Sequence, residues 1–509
     1  MTIYCKNTIS KAFQVIALAL TLTACESLDV ENTDAPDRKD LLNSSRDFGG
    51  FAQNIYATYW QAIHNEAFSS PQIASLAAAD QITASWYTFG CYELSQEPRI
   101  EWNNTPNYEY KEITYTFFTR MYTVLFMSNT TINFLLQGKT ISSNNKTNSG
   151  YLSYAYMMQG IALGQLALTF DSSQIVKETT KIENLAFSPY NEVMDSALES
   201  LEKAISIADT TTFNLGSNIV NGVTLDNKLL SRVCHSFIAR FLTLNARNKS
   251  EYAATDWPRV LANAKKGINE DFGPQGDGNN KWIDEIARFI TNVDNSQLFF
   301  CKTDNRIINL LDPSYPSRYW KNGHAKVVHP GYQSGEAISK DYRLTSDFEY
   351  SPTIRFYADR GTVHYSHYRF KRFDNIRKTG LGKLIEYPEY ENKLYAIEAM
   401  ANMGQTENAI NAINNIAYPR RTRGKLSPVD ITTSKKELLE IIFYERDIEL
   451  FGQGYLIAFC DMRRRDKLQK GTPLHFPVPA NELQTHKRNI YTYGGVENAD
   501  GTNTSNGGW

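Results

Sequence analysis

Between Tyr151 and Phe170 the chain is apolar on nearly every helical face. Tyr151, Tyr154, Met158 and Ile161 fall on one stripe, and Leu152, Tyr156, Leu163 and Leu166 on another. A helix without a polar face has to lie among other helices. The flanking sequence supplies them. Met194, Leu198, Leu201, Ile205 and Ala208 form a stripe behind Ser188-Pro189, which predicts Ser188 at an N-cap with proline in the first helical position. Leu230, Val233, Phe237, Phe241 and Leu244 predict a third helix, and Trp257 to Ile268 a fourth. Upstream, Phe51, Ile55, Tyr59 and Ile63 recur every four residues and predict one amphipathic helix over Phe48 to Ile63.

The same up-and-down unit returns late in the chain. Leu394, Ile397 and Met400 run to Gly404, then Thr406 opens Ala409 to Ala417 with Ile410, Ile413 and Ile416 on one side. Ser434 and Glu437 form a capping box for a last helix carrying Leu438, Ile441, Ile442, Glu445, Ile448 and Glu449. The acids on that helix stand among apolar neighbours and are expected to pair with arginines. Helix pairs that bury faces against their neighbours predict a mainly α protein with tetratricopeptide-like stacking, although no strict repeat is present.

A different pattern runs from Gly273 to Leu384. Gly273-Pro274, Gly276-Asp277-Gly278, Asp312-Pro313 and Tyr315-Pro316 punctuate it, and Thr362 to Tyr365 with Tyr368 to Phe370 alternates like a strand. Long irregular stretches in compact proteins are usually functional, so this loop-rich insertion, with a few short strands and with Trp282, Tyr315, Tyr319 and Trp320, is where a binding surface is expected.

The chain starts with Lys6 and Lys11, an apolar run from Phe13 to Leu20, and then Leu22-Thr23-Ala24-Cys25. That order predicts a secretory signal over residues 1–24, too short for a spanning helix. The last four residues resemble a bacterial lipobox, which makes Cys25 the expected lipidated residue. Residues 25–45 then read as a flexible, acidic tether, and 46–509 as the folded domain. Such a protein is attached to a membrane through its lipid only.

A formal net charge of −2 with no basic block excludes nucleic acid as the expected partner. The arginine runs at Arg420 to Arg423 and Arg463 to Arg465 are expected to be solvated or ion-paired helix ends. Cys91, Cys234, Cys301 and Cys460 are far apart, without metal-type spacing, and are expected to be free and mostly buried. His364 and His367, three apart on a strand, point to opposite faces. Gly138-Lys139-Thr140 lacks the upstream glycine of a phosphate loop, and no nucleophile elbow or His-Glu-x-x-His occurs. Asp271 to Asn280 is acidic and Gly-rich without the full calcium-loop spacing; a solvated turn is the expected reading, and a calcium ion stays the alternative. No catalytic residue, cofactor or metal is expected. A glycosidase carboxylate pair remains open, because its separation in space is not readable from sequence.

Binding is better supported. The chain holds 30 Tyr, 26 Phe and 7 Trp, and a surplus of Tyr and Trp is what a carbohydrate or peptide platform uses. Trp86, Tyr87 and Tyr92 lie near Arg99, Trp102 and Asn103, and Tyr319-Trp320 is flanked by Arg318 and Asn322. These aromatics, with Asn103, are the candidate ligand-binding residues.

Glu445-Arg446-Asp447-Ile448-Glu449-Leu450 is similar to the E-R-x-x-E-L of the SusD/RagB family of outer-membrane nutrient-binding lipoproteins, and Asp461-Met462-Arg463-Arg464 to its D-L-R-R. Phe476-Pro477-Val478-Pro479 with Glu482-Leu483 resembles the family's final P-I-P-x-x-E-L. Asp341-Tyr342-Arg343 looks like D-P-R, and Tyr395 to Ala399 like its A-E-A helix. The stretch Phe451 to Cys460 departs from the pattern, being longer and lacking E-G-x-R. The resemblance implies helix pairs that cap a SusC-like TonB-dependent transporter and hold a glycan or oligosaccharide for import. A peptide receptor of the RagB type is the alternative within binding, and a tethered glycoside hydrolase the alternative outside it.

Overall fold

The computed structural model describes residues 45–66, 69–84, 90–96, 98–181, 183, 185–278, 280–291, 301–315, 335–352 and 366–505. The expected signal, and the expected tether up to residue 44, therefore lie outside the described residues; Ser45 already belongs to the first helix.

Helix α1 (Ser45–Gln53) does not continue unbroken to Ile63. The Asn54 side chain donates to Gly50 O, the chain turns, and α2 (Ile55–Trp60) runs into a π-helical turn, Gln61–Asn65. Asparagine competes with the helix for backbone bonds, which a pattern of apolar spacing does not register. Beyond the short helices Pro71–Ala78 and Cys91–Ser95 come the longer ones, α3 (Glu112–Leu136), α4 (Asn145–Thr169), α5 (Tyr190–Thr210), α6 (Asn227–Leu244) and α7 (Trp257–Lys266). Asn144 opens α4 by accepting from Lys146 N, and from Gly150 to Thr169 every residue but Leu152 is buried. Its neighbours are α3 and α5, with α6 packed on α5. Gly160 and Gly164 make the approach possible: a Cβ at Gly160 would run into Leu201 and Ala197 O of α5, and one at Gly164 into the Phe241 ring of α6.

Ser188 is not the cap of α5. Residues Phe187–Pro189 are strand β3, paired antiparallel with β2 (Ser172–Gln174), and Pro189 occupies the N-cap while Tyr190 N donates to Asp171 O. Late in the chain α7 packs on α8 (Glu389–Asn402), and α8 on α9 (Thr406–Ile413) and α10 (Lys435–Glu449). The capping box of Ser434 and Glu437 is present. Ile416 is 80% exposed instead of buried with Ile410 and Ile413, because Asn414 ends the helix by exchanging bonds with both backbone groups of Val429.

Between the helical groups the insertion begins and ends on one ribbon. Strand β4 (Gln275–Asp277) pairs with β8 (Leu381–Lys383), Gln275 opposite Lys383. Inside it are β5 (Cys301–Thr303), β6 (Phe348–Tyr350), β7 (Tyr368–Phe370) and several helices of one or two turns. The Asp271 to Asn280 turn is closed by the Asp277 carboxylate, which accepts from Asn280 N and Lys281 N.

Arg463, in α11 (Ile457–Arg463), corrects the expectation for its run. It is fully buried and pairs with no carboxylate among the described residues, donating instead to Leu168 O, Leu244 O and Leu474 O. Two of these are the orphan carbonyls at the C-terminal ends of α4 and α6, where a cation is favoured.

His64 shows how the π turn serves the core. It brings the imidazole onto Trp60, ring centroids 3.7 Å apart, with Nε2 2.9 Å from Glu386 and Nδ1 3.3 Å from Asp284. Glu386 also accepts from Tyr59 OH at 2.7 Å and lies 3.5 Å from Arg240. Burial disfavours the imidazolium, but Asp284 and Glu386 outweigh it and lift its pKa to about 9. A raised folded pKa contributes stability fully below the unfolded value near 6.5, and loses it as pH climbs through about 9. The linkage is worth up to about 3 kcal/mol. Urea unfolding from pH 6 to 10 should therefore fall more steeply for the parent than for His64→Gln. Parallel curves would rule out a charged His64.

Candidate ligand-binding site

Strand β1 (Ile82–Ala84) runs antiparallel to β5, with Ile82 opposite Thr303 and Ala84 opposite Cys301. Asp304 locks the pair. Its carboxylate accepts from Thr83 Oγ at 2.8 Å and from Arg306 N, capping the helix Asn305–Leu311, while its own N–H donates to Gln81 O. Beyond Thr303, Ser366 donates N–H and Oγ to Thr303 O, leading into β7, which pairs with β6. Tyr315 OH accepts from His367 N, Tyr368 OH accepts from Ala337 N at 2.7 Å, and Asp312 accepts from Ile338 N at 2.7 Å. Residues 84, 301, 315, 337, 351 and 366 are thus gathered around one small ribbon. The sequence stretches holding Trp86-Tyr87 and Tyr319-Trp320 are attached there.

Trp86, Tyr87, Tyr319 and Trp320 themselves lie outside the described residues, as does His364. Tyr92 belongs to the short helix Cys91–Ser95. Trp102 is a core residue. It is 1% exposed, and its ring is set edge-on to Tyr108 and Phe476 and packed against Gly90, which has a left-handed φ of 70° and no room for a Cβ. It offers no open face to a ligand, contrary to the expectation from its setting. Asn103 is exposed, but its side-chain oxygen is engaged by Thr105 N and Thr105 Oγ; it borders a shallow depression with Glu101, Ile490 and Tyr491. Trp282 and Tyr315 are also buried, Trp282 stacking on Tyr56. His367 is buried against Tyr350, and burial holds its pKa down. Cys91, Cys234, Cys301 and Cys460 are free and buried.

Beside the ribbon lies a groove of about 610 Å³ that the sequence did not reveal. Leu310, Leu311 and Ile338 line it together with Ile441 and Tyr444 of α10, and Lys340 and Arg420 add charge to the lining. Ile338 is 85% exposed. Its residues come from four separate parts of the chain, and the one local signal was Ile441 with Tyr444 at helical spacing on α10. Apolar walls, a tyrosine and a few polar groups make a surface suited to a small ligand with both apolar and hydroxyl faces.

Under the groove the motif residues form buried ion networks. Arg343 is fully buried and bonds Asp341 at 2.7 Å and Glu445 at 2.8 and 2.9 Å, with Glu449 at 3.2 Å. Tyr390 and Arg420 reach Glu445, and Arg372 and Arg423 reach Glu449. Burial opposes ionisation of Asp341, yet bonds from Arg343 and Tyr444 hold its carboxyl below the usual carboxylate range. A second network joins Glu398 to Arg464, Arg446 and Tyr252, with Asp461 beside both arginines. The pairing expected for Glu445, Arg446 and Glu449 is therefore present. These acids are occupied in holding the fold.

Residues 318–503 match the SusD family. No curated protein matches the chain. Among solved structures it is similar to a SusD superfamily protein from Parabacteroides distasonis, at 14% identity and a TM-score of 0.60, covering 89% of this chain and 99% of that one. A SusD homolog from Bacteroides thetaiotaomicron is similar at 11% identity and 0.59, covering 91% and 99%. A SusD-like carbohydrate binding protein from Bacteroides vulgatus is similar at 16% identity and 0.54, covering 84% of each. Identities this low establish a shared fold.

Proposed function

We propose that this chain, a SusD/RagB-family protein by its sequence over residues 318–503 and by its fold, is a surface nutrient-binding lipoprotein that captures a glycan or oligosaccharide and delivers it to a SusC-like TonB-dependent transporter of the outer membrane. The observation that carries the binding reading is the β1–β5 pairing. It fixes the strand before Trp86 and Tyr87 to the insertion, whose next helix leads to Tyr315 and on toward Tyr319 and Trp320. Ligand contact is assigned to Trp86, Tyr87, Tyr92, Tyr319 and Trp320, with Asn103 at the margin. Among the described residues no helix is long and apolar enough to cross a membrane. Attachment is assigned to acyl chains on Cys25, each methylene contributing about 0.8 kcal/mol when buried in lipid.

The test is a panel of neutral and charged oligosaccharides followed for both retention and product. Retention without turnover is expected, and each of Trp86→Ala and Trp320→Ala should weaken it by roughly an order of magnitude, since aromatic anchors carry much of such binding energy. Unchanged retention by folded variants rejects those two residues as the platform. Turnover abolished by a single Glu or Asp substitution would replace binding with hydrolysis.

A further inference from the structure

A second groove, of about 550 Å³, occupies the neighbouring face of α10. Lys436, Leu439, Glu440 and Phe443 recur along that face at helical spacing, and Lys249 and Tyr252 come from the short helix Lys249–Ala253. Arg465 lies flat on Phe443, its guanidinium carbon 3.7 Å from the ring centroid, and donates Nε to Asp461 O. Tyr252 and Leu439 are half-buried and leave an apolar floor. Lys249, Lys435, Lys436 and Lys467 stand around it, so the lining holds five cations with Arg465 against one carboxylate, Glu440.

This concentration is local, because the whole chain has a formal charge of −2. Its lysines are also without ion pairs among the described residues, although Glu437 and Asp466 stand near Lys436 and Lys249. Lysine ion pairs occur elsewhere, at Lys177, Lys203 and Lys393, but among the described residues none of Lys249, Lys435, Lys436 and Lys467 ion-pairs with a carboxylate. Lys435 reaches only Asn402 O, at 3.2 Å. Lys435 and Lys436 moreover sit in the first turn of α10, where the helix dipole disfavours cations. An anion held between them would relieve both the mutual repulsion and the dipole.

We propose that this groove takes an acidic oligosaccharide, one carrying carboxylate or sulfate groups on its sugar rings. The proposal rests on the glycan-binding reading and narrows its ligand class. A concave site of this volume suits a small ligand rather than a flat bilayer surface. Its apolar floor matches the CH faces of sugars, and the long lysine arms match charges set around a ring.

The full chain would be titrated with an oligogalacturonate hexamer, a sulfated hexasaccharide and maltohexaose, at low and high salt. At least one acidic probe should bind, more weakly at high salt, and the double variant Lys436→Glu, Lys467→Glu should weaken it about tenfold. Both substitutions are on accessible side chains, so an unchanged melting temperature is expected alongside. Lys249→Ala gives a smaller loss in the same direction. Maltohexaose affinity should not respond to either variant. Acidic-probe binding that ignores the double variant overturns the groove assignment. Tighter, groove-dependent binding of a polyglutamate peptide or of anionic vesicles would overturn the sugar. If neutral glycans bind and acidic ones do not, this inference fails while glycan capture stands; if no glycan binds, both fail.

Discussion

Arg343→Met is expected to lower the unfolding free energy by about 4 kcal/mol or more, or to prevent folding outright. The guanidinium is the shared partner of Asp341, Glu445 and Glu449, and each bond joins buried side chains. A methionine keeps most of the volume and removes every donor, leaving carboxylates without their main compensation. Arg420 still reaches Glu445, and Arg372 and Arg423 still reach Glu449, but Asp341 retains only Tyr444 OH and the backbone N–H of position 343. Asp341 should then regain a higher pKa, so that whatever stability the variant keeps depends less on pH in the acid range than the parent's does. The sign follows from the folded pKa being depressed: the parent's share is present above the unfolded value near 4 and is lost as pH falls. Guanidinium unfolding at several pH values reads both effects. Arg343→Lys should fall between the two, since an ammonium cannot serve two carboxylates bidentately. A loss under about 1 kcal/mol for the methionine variant would mean that the network is not what holds the insertion to α10.

Glu398→Ala comes next, with an expected loss of about 3–5 kcal/mol. Arg464 bonds both Glu398 oxygens, at 2.6 and 2.9 Å, and Arg446 adds a third contact at 2.7 Å. Without Glu398, two buried guanidiniums share Asp461 alone. Pairing the substitution with Arg464→Met separates mechanism from volume: if the network acts as a unit, the double variant loses much less than the sum of the singles. Strict additivity in thermal unfolding would contradict the structure's account of this cluster.

Both networks explain why the late motif could be recognised from sequence yet not interpreted. Glu445 and Glu449 stand among apolar residues on α10, which is enough to require cationic partners. The partner, Arg343, is 102 positions from Glu445, and no local pattern points to it. Helix pairing was legible for the opposite reason, since apolar spacing is local and α4, α5 and α6 bury the stripes it marks, all but the half-buried Leu152 and Ile205. Trp102 shows the limit most clearly. An aromatic beside Asn103 and Asn104 in an aperiodic stretch reads identically as platform or as core, and what decides is Gly90 on one side and Phe476 on another. Of the groove lined by Ile338 and Tyr444 only the α10 side was legible, because its parts meet only after the insertion has folded back on α10.

That folding back has a consequence for how such a protein can change. Because β4 and β8 place the two ends of the insertion side by side, a replacement of different length can be joined there at little entropic cost, and the helices need not move. The exchange is not free of conditions. Arg306, Arg343 and Arg372 lie inside the replaced stretch, and their acidic partners Asp447, Glu445 and Glu449 lie outside it. Any graft must therefore bring its own arginines to the same three places, and diversification of the loops is confined to the residues between those anchors.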